Sequence, residues 1–177
     1  MEVIRYEAAG WGVGELGWKR GRLLYHELPT PARRADPNLP QGIPEVPVIR
    51  VAGRDSRVCA GSAPEFAQRL LAYFEGDATD FGDVPLELSG YTTYQAALVS
   101  ALRQVPRGQT VTYGELAALA GRPNAHRAAG SFCAHNRFGV VVPCHRVVAA
   151  GGLGSYGSLG GSYKRRLLRL EGADVPV

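Results

Sequence analysis

The sequence predicts an α+β protein in two parts. A small mixed α/β domain spans residues 1–88, and a mainly helical domain spans residues 89–177, carrying a helix-turn-helix and an active-site strand. Three observations support this. Short period-two apolar segments broken by glycines dominate the first part, and helical spacing takes over in the second. Charge divides at the same place: residues 1–90 carry a net of −3 and residues 91–177 a net of +7, together the formal +4 of the chain.

In the first part, Val3–Ala8, Gly12–Leu16 and Arg22–Glu27 alternate as strands. Residues 29–47 are rich in proline and without periodicity, which predicts a long surface loop. Val46–Val51 reads as a further strand. Phe66, Leu70, Leu71 and Phe74 recur at helical spacing, giving a helix over Ala63–Phe74 that stops at Gly76. No residue in this part suggests chemistry.

In the second part, Tyr94–Val105 has helical spacing and stops before Pro106. Thr112 with Glu115 forms a capping box that opens a short helix over Tyr113–Ala120, ended by Gly121. A second short helix follows over Ala125–His135, with small residues Ala125, Ala128 and Ala129 on one side. Two short helices across such a turn read as a helix-turn-helix. With the +7 balance around it, the reading points to an anionic partner, nucleic acid first. A last helix covers Ser162–Leu170 and leaves Glu171 at its C-terminus, where a carboxylate opposes the helix dipole and needs a partner.

The composition, 45% hydrophobic and 20% charged over 177 residues, is that of an ordinary globular chain rather than a fibrous or disordered one. No apolar run is long enough to span a bilayer, and the N-terminus lacks the core of an export signal. Three cysteines (Cys59, Cys133 and Cys144) are too few for a disulfide framework and fit a reducing, intracellular setting. No CxxC or HxxxH occurs and the four histidines are scattered, so no metal site is expected.

Chemistry concentrates at Val140–Val148, where Pro143, Cys144, His145 and Arg146 interrupt two β-branched runs. Cys144 is a candidate nucleophile, because a nearby base or cation raises the thiolate fraction. Neighbours on a strand face opposite ways, so bonding between Cys144 and His145 calls for a bridging water or a bent backbone. Glu171 completes a chemically sensible Glu–His–Cys relay. The glycine-rich stretch 151–161 lacks a Walker ending; its glycines allow close backbone approach to a planar ligand, with Tyr156 as a wall. On these residues alone, a helix-turn-helix regulator and a Cys–His hydrolase both remain open.

The run Pro143-Cys144-His145-Arg146-Val147-Val148 follows TVTYGELA and HRAAG and precedes the glycine-rich loop and LLRLEGA. In this order it resembles the O6-alkylguanine-DNA alkyltransferases, also called methylated-DNA–protein-cysteine methyltransferases. The resemblance covers about residues 65–173. It implies a DNA repair protein that flips O6-alkylguanine, chiefly O6-methylguanine, out of the duplex and transfers the alkyl group irreversibly to Cys144, without cofactor. His145 would act as base through a water, Glu171 would orient and balance it, and Asn136 would join the recognition helix to the active-site strand. Tyr113 would contact the flipped base, Arg127 would fill the vacated stack, and Tyr156 would form the pocket wall. Val147 and Gly157 would complete the substrate contacts. Ala125, Ala128, Ala129 and Gly130 would let the helix approach the minor groove closely. The resemblance further implies double-stranded DNA as partner, a monomer able to cluster on it, and residence in the cytoplasm or a eukaryotic nucleus. Relatives that bind lesions without transfer typically lack the cysteine that this chain has. The chain departs from the family at Arg137, which follows Asn136 where proline is usual, at His126 and at Ala134.

Overall fold

The structure is a computed structural model that describes residues 1–31, 48–49 and 61–175. It divides into two compact units, Met1–Glu87 and Leu88–Val177. Among the described residues no helix is long and apolar enough to cross a membrane.

In the first unit, β1 (Glu2–Ala8), β2 (Gly12–Lys19), β3 (Arg22–Thr30) and β4 (Val48–Ile49) form one sheet in the order β3-β2-β1-β4. β1 runs antiparallel to β2 and parallel to β4. Burial alternates along β1, with Ile4, Tyr6 and Ala8 inward. The helix α1 (Ala63–Phe74) covers that face through Phe66, Leu70, Tyr73 and Phe74. It starts where expected because Ser62 and Glu65 close a reciprocal capping box. Opposite Tyr6 and Tyr25 the sheet carries Gly14 and Gly17, where any Cβ would collide with the rings.

β3 runs three residues beyond the predicted Glu27 and takes up Pro29 and Thr30, which sequence reading had placed in the loop. The extension is possible because β3 is an edge strand, where proline's missing N–H breaks no ladder. The rest of that loop lies outside the described residues, as do the flanks of β4.

In the second unit, α2 (Thr93–Arg103) and α3 (Tyr113–Leu119) each begin on a threonine capping box, Thr92 with Gln95 and Thr112 with Glu115. α4 (His126–Ala134) follows after a turn that includes Gly121 at φ 81°. α5 (Gly160–Leu170) starts two residues before the predicted Ser162, on the Gly160-Gly161 pair. Two short strands, β5 (Val111–Thr112) and β6 (Val147–Val148), pair in parallel, Val111 with Val147 and Thr112 with Val148. That pairing fixes Tyr113, the residue after β5, beside the chain as it leaves β6.

The predicted active-site strand is confined to β6. Residues 139–143 instead form tight turns, with Val140 at φ 56° and short bonds from Val141 N to Gly139 O (2.7 Å) and Cys144 N to Val142 O (2.8 Å). A β-branched residue at positive φ is costly and persists only where its surroundings impose it. Asn136 does so: its side chain donates to Val142 O (2.8 Å) and accepts from Phe138 N (3.0 Å), replacing a sheet partner.

Candidate active site

Cys144, His145 and Arg146 form one turn of 3-10 helix. At three residues per turn their side chains leave in three directions. This bent backbone replaces the flat strand that sequence reading had considered.

The Cys144 thiol is buried, and Asn136 Nδ2 donates to its Sγ at 3.1 Å. Burial pushes the thiol up, and hydrogen bonds from Asn136 and the Tyr156 hydroxyl, together with the charge of Lys164, work against that rise. Sγ faces a small pocket walled by Tyr113, Gly130, Cys133, Ala134, Tyr156 and Gly157. About 20 Å³ of free space remains in it, room for a single water. Gly130 keeps the wall thin: a Cβ there would rest 3.8 Å from the Tyr113 ring. Tyr156 is braced by stacking on Tyr163, ring centroids 6.3 Å apart.

Behind the thiol lies a buried ionic cluster. His145 Nε2 and Glu171 Oε1 are 2.9 Å apart, both side chains fully enclosed. Arg146 grips the same carboxylate with two bonds of 2.8 Å and reaches Val105 O at 2.6 Å. Burial pushes Glu171 up, but the bonds from His145 and Arg146 outweigh it and hold the carboxyl far below its usual range. Burial also lowers His145, more than Glu171 raises it, so the imidazole is neutral at pH 7. An ionised carboxylate only accepts hydrogen bonds, so Nε2 carries the proton and Nδ1 the basic lone pair.

Lys164 is fully buried and donates to Val147 O (2.5 Å), Leu153 O (2.7 Å) and Ser155 O (3.4 Å), tying β6 to the glycine-rich loop.

The structure thus brings Cys144, Tyr113, Gly130, Tyr156 and Gly157 to one pocket, places Asn136 on the thiol, and puts His145 and Glu171 behind it. Three other residues lie elsewhere. Arg127 and Ala128 are on the exposed side of α4, and Ala125 is its N-cap. Ala128 lines a separate cleft with Tyr94, Ser131 and His135. Val147 is fully buried, pairs with Val111 and gives its carbonyl to Lys164, and its side chain is not among those walling the pocket. One reading needs correction. Ala129 is also fully buried and packs inward, away from the outer face of α4. Arg137, in place of the usual proline, lies over the rings of Tyr91 (5.0 Å) and Phe138 (5.1 Å).

Sequence reasoning missed Arg146 as the main partner of Glu171, Lys164 as a loop clamp and Cys133 as a pocket wall. A signal existed for Lys164: it precedes Leu167 and Leu168 by three and four residues, on the apolar face of α5. Among the described residues no group of three His, Cys, Asp or Glu side chains is placed to hold a metal ion.

Residues 93–173 match the family described as 6-O-methylguanine DNA methyltransferase, DNA binding domain. The chain is 46% identical over 110 residues to a methylated-DNA–protein-cysteine methyltransferase of Mycobacterium bovis, a match covering 62% of this chain and 65% of that protein. It is 44% identical over 110 residues to the protein of that name from Methanosarcina acetivorans, covering 62% of this chain and 69% of that one. The fold is similar to Mycobacterium tuberculosis OGT in complex with DNA, with a TM-score of 0.72 and 31% identity over 100% of this chain and 96% of that one.

Proposed function

The chain belongs to the methylated-DNA–protein-cysteine methyltransferase family, and from that premise we propose that it repairs O6-alkylguanine in DNA by a single, irreversible alkyl transfer to Cys144. One observation carries the reading above the rest. The Cys144 thiol, bonded to Asn136, sits at the floor of a pocket walled by two tyrosines, with a neutral His145 locked to an ionised Glu171 behind it.

A base inside a duplex cannot reach such a floor, so the lesion must leave the stack. The exposed Ala128 and the half-buried Ala125, both small, let α4 approach the minor groove, and Arg127 occupies the space the base vacates. No side chain caps the N-terminus of α4, which leaves its first amides to meet a backbone phosphate. The pocket must widen to admit a purine, and the glycine-rich stretch 151–161 is the wall that yields. Transfer then proceeds in balance. The thiol proton passes through a water to His145 Nδ1, and Glu171 offsets the imidazolium. Sγ attacks the alkyl carbon, the bond from that carbon to O6 breaks, and the proton returns to the departing guanine. Donors at the pocket edge, the Tyr113 hydroxyl among them, stabilise the charge that develops on the base. The product thioether has no leaving route, so each chain acts once.

Intact mass after incubation with a duplex carrying O6-methylguanine tests the reading. One CH2 gained per chain, located at Cys144, is the expected result. An unchanged mass would mean recognition without transfer, and repeated turnover would mean a hydrolase.

Arg127→Ala separates flipping from chemistry. Losing the residue that fills the stack leaves the cost of unstacking uncompensated, so transfer from duplex DNA falls roughly ten- to a hundredfold, at about 1.4 kcal/mol per decade. Free O6-benzylguanine needs no flipping, and its rate stays near the parent's. An equal loss on both substrates would place Arg127 in the fold or the pocket instead.

A further inference from the structure

The proposed mechanism uses one thiol, yet the pocket holds two. Cys133, near the end of α4, shares the pocket wall with Cys144, and both are free cysteines. Asn136 bonds to both residues: its backbone N donates to Cys133 O (3.4 Å) and its side chain to Cys144 Sγ (3.1 Å). The two residues wall one cavity with space for about one water, the charge of Cys144 is felt at Cys133, and the cavity admits only very small molecules.

We propose that Cys133 and Cys144 form a peroxide-responsive pair, in which Cys133 captures an oxidised Cys144 as an intramolecular disulfide before further oxidation destroys it. Hydrogen peroxide is little larger than the water that the closed pocket accommodates, so it reaches Sγ without the opening a purine requires. Cys144 Sγ attacks one peroxide oxygen, the O–O bond breaks, and a sulfenic acid and a water result. Cys133 Sγ then attacks the sulfenic sulfur, forming the S–S bond and releasing a second water. Two thiols and one peroxide thus give one disulfide and two waters, the sulfurs supplying both electrons.

The order of attack follows from the surroundings. Burial pushes both thiols up, but only Cys144 has hydrogen bonds from Asn136 and Tyr156 that favour its thiolate. Cys144 therefore reacts first and Cys133 remains a thiol to resolve it. A dithiol reductant restores both by exchange. The consequence for repair rests on Cys144 being the alkyl acceptor; the sulfur chemistry does not.

The test uses the full reduced chain, one equivalent of hydrogen peroxide, and peptide mapping after denaturing alkylation. The expected product has lost two hydrogens, yields a linked Cys133–Cys144 peptide, and regains both thiols and its transfer activity with dithiothreitol. With a second equivalent of peroxide given to both proteins, since sulfinic acid consumes two, the linked peptide is absent in Cys133→Ser and sulfinic acid at Cys144, two oxygens heavier, accumulates several-fold faster than in the parent. Three results would each overturn the proposal: a parent whose Cys144 goes to sulfinic acid while Cys133 stays a thiol, a linkage to Cys59 instead, or an equal sulfinic rate in the variant. The parent's linked peptide decides the matter even if the variant folds poorly. None of the mass readouts needs DNA, so a failure of transfer from methylated duplex would strike the proposed function and not this pair.

Discussion

Cys144→Ala is expected to abolish alkyl transfer to duplex and free base alike, with a loss of at least about a thousandfold, as is usual when a nucleophile is removed. The neighbouring thiol offers no rescue. Cys133 lacks the hydrogen bonds from Asn136 and Tyr156 that favour the Cys144 thiolate. Binding of unmodified duplex stays near the parent's, because the proposed phosphate contacts lie on the outside of α4 rather than at the pocket floor. A variant that still gains a CH2, now at Cys133, would move the acceptor and with it the proposed chemistry. A variant that loses both transfer and DNA binding would show a folding defect, visible by circular dichroism.

The second large effect falls on stability. Glu171→Ala leaves the Arg146 guanidinium and the enclosed His145 without their shared carboxylate, and breaking a buried pair in this way costs about 3–5 kcal/mol. Urea unfolding should register it as a lower midpoint with an unchanged slope. Glu171→Gln keeps the shape and recovers part of the loss. Acid should act on the parent through the same cluster. The fold holds His145 below its ordinary 6.5, so the unfolded chain binds that proton first and stability begins to fall below about that pH. Glu171 is likewise held below its ordinary 4.5, and its contribution, complete above that value, is lost as pH falls further. In Glu171→Ala the steeper acid limb is absent. A parent whose stability rises on acidification from pH 7 to 4 would contradict this arrangement.

Elements set by local signals were legible in the sequence. The capping box at Thr112 fixes a helix start by contacts three residues apart, and α1 lies where its periodicity puts it. Cys144, His145, Asn136 and Glu171 were likewise found through the motifs around them. What escaped depends on partners distant in the chain. Arg146 meets Glu171 across 25 positions and Val105 across 41, and adjacency to His145 gave no hint of either. The segment before Cys144 reads as a strand because valines favour one, and tertiary bonds from Asn136 override that preference. The surroundings of Val147 likewise come from distant partners, β5 and Lys164, that its place in the motif does not announce.

The pairing of β5 with β6 gives the second unit a modular character. Only two residues on each side join, yet they close a loop that contains both helices of the helix-turn-helix and ends at the reactive turn. The entry and exit of that loop are anchored directly to each other. Tyr113 and Cys144 therefore keep their spacing whatever happens along the outer face of α4, because both lie within a few residues of the clasp. On the proposed function, evolution or an engineer can rewrite Ala125, His126 and Ala128 as an interchangeable cassette, altering the grip on DNA while the distance from base to sulfur is inherited unchanged.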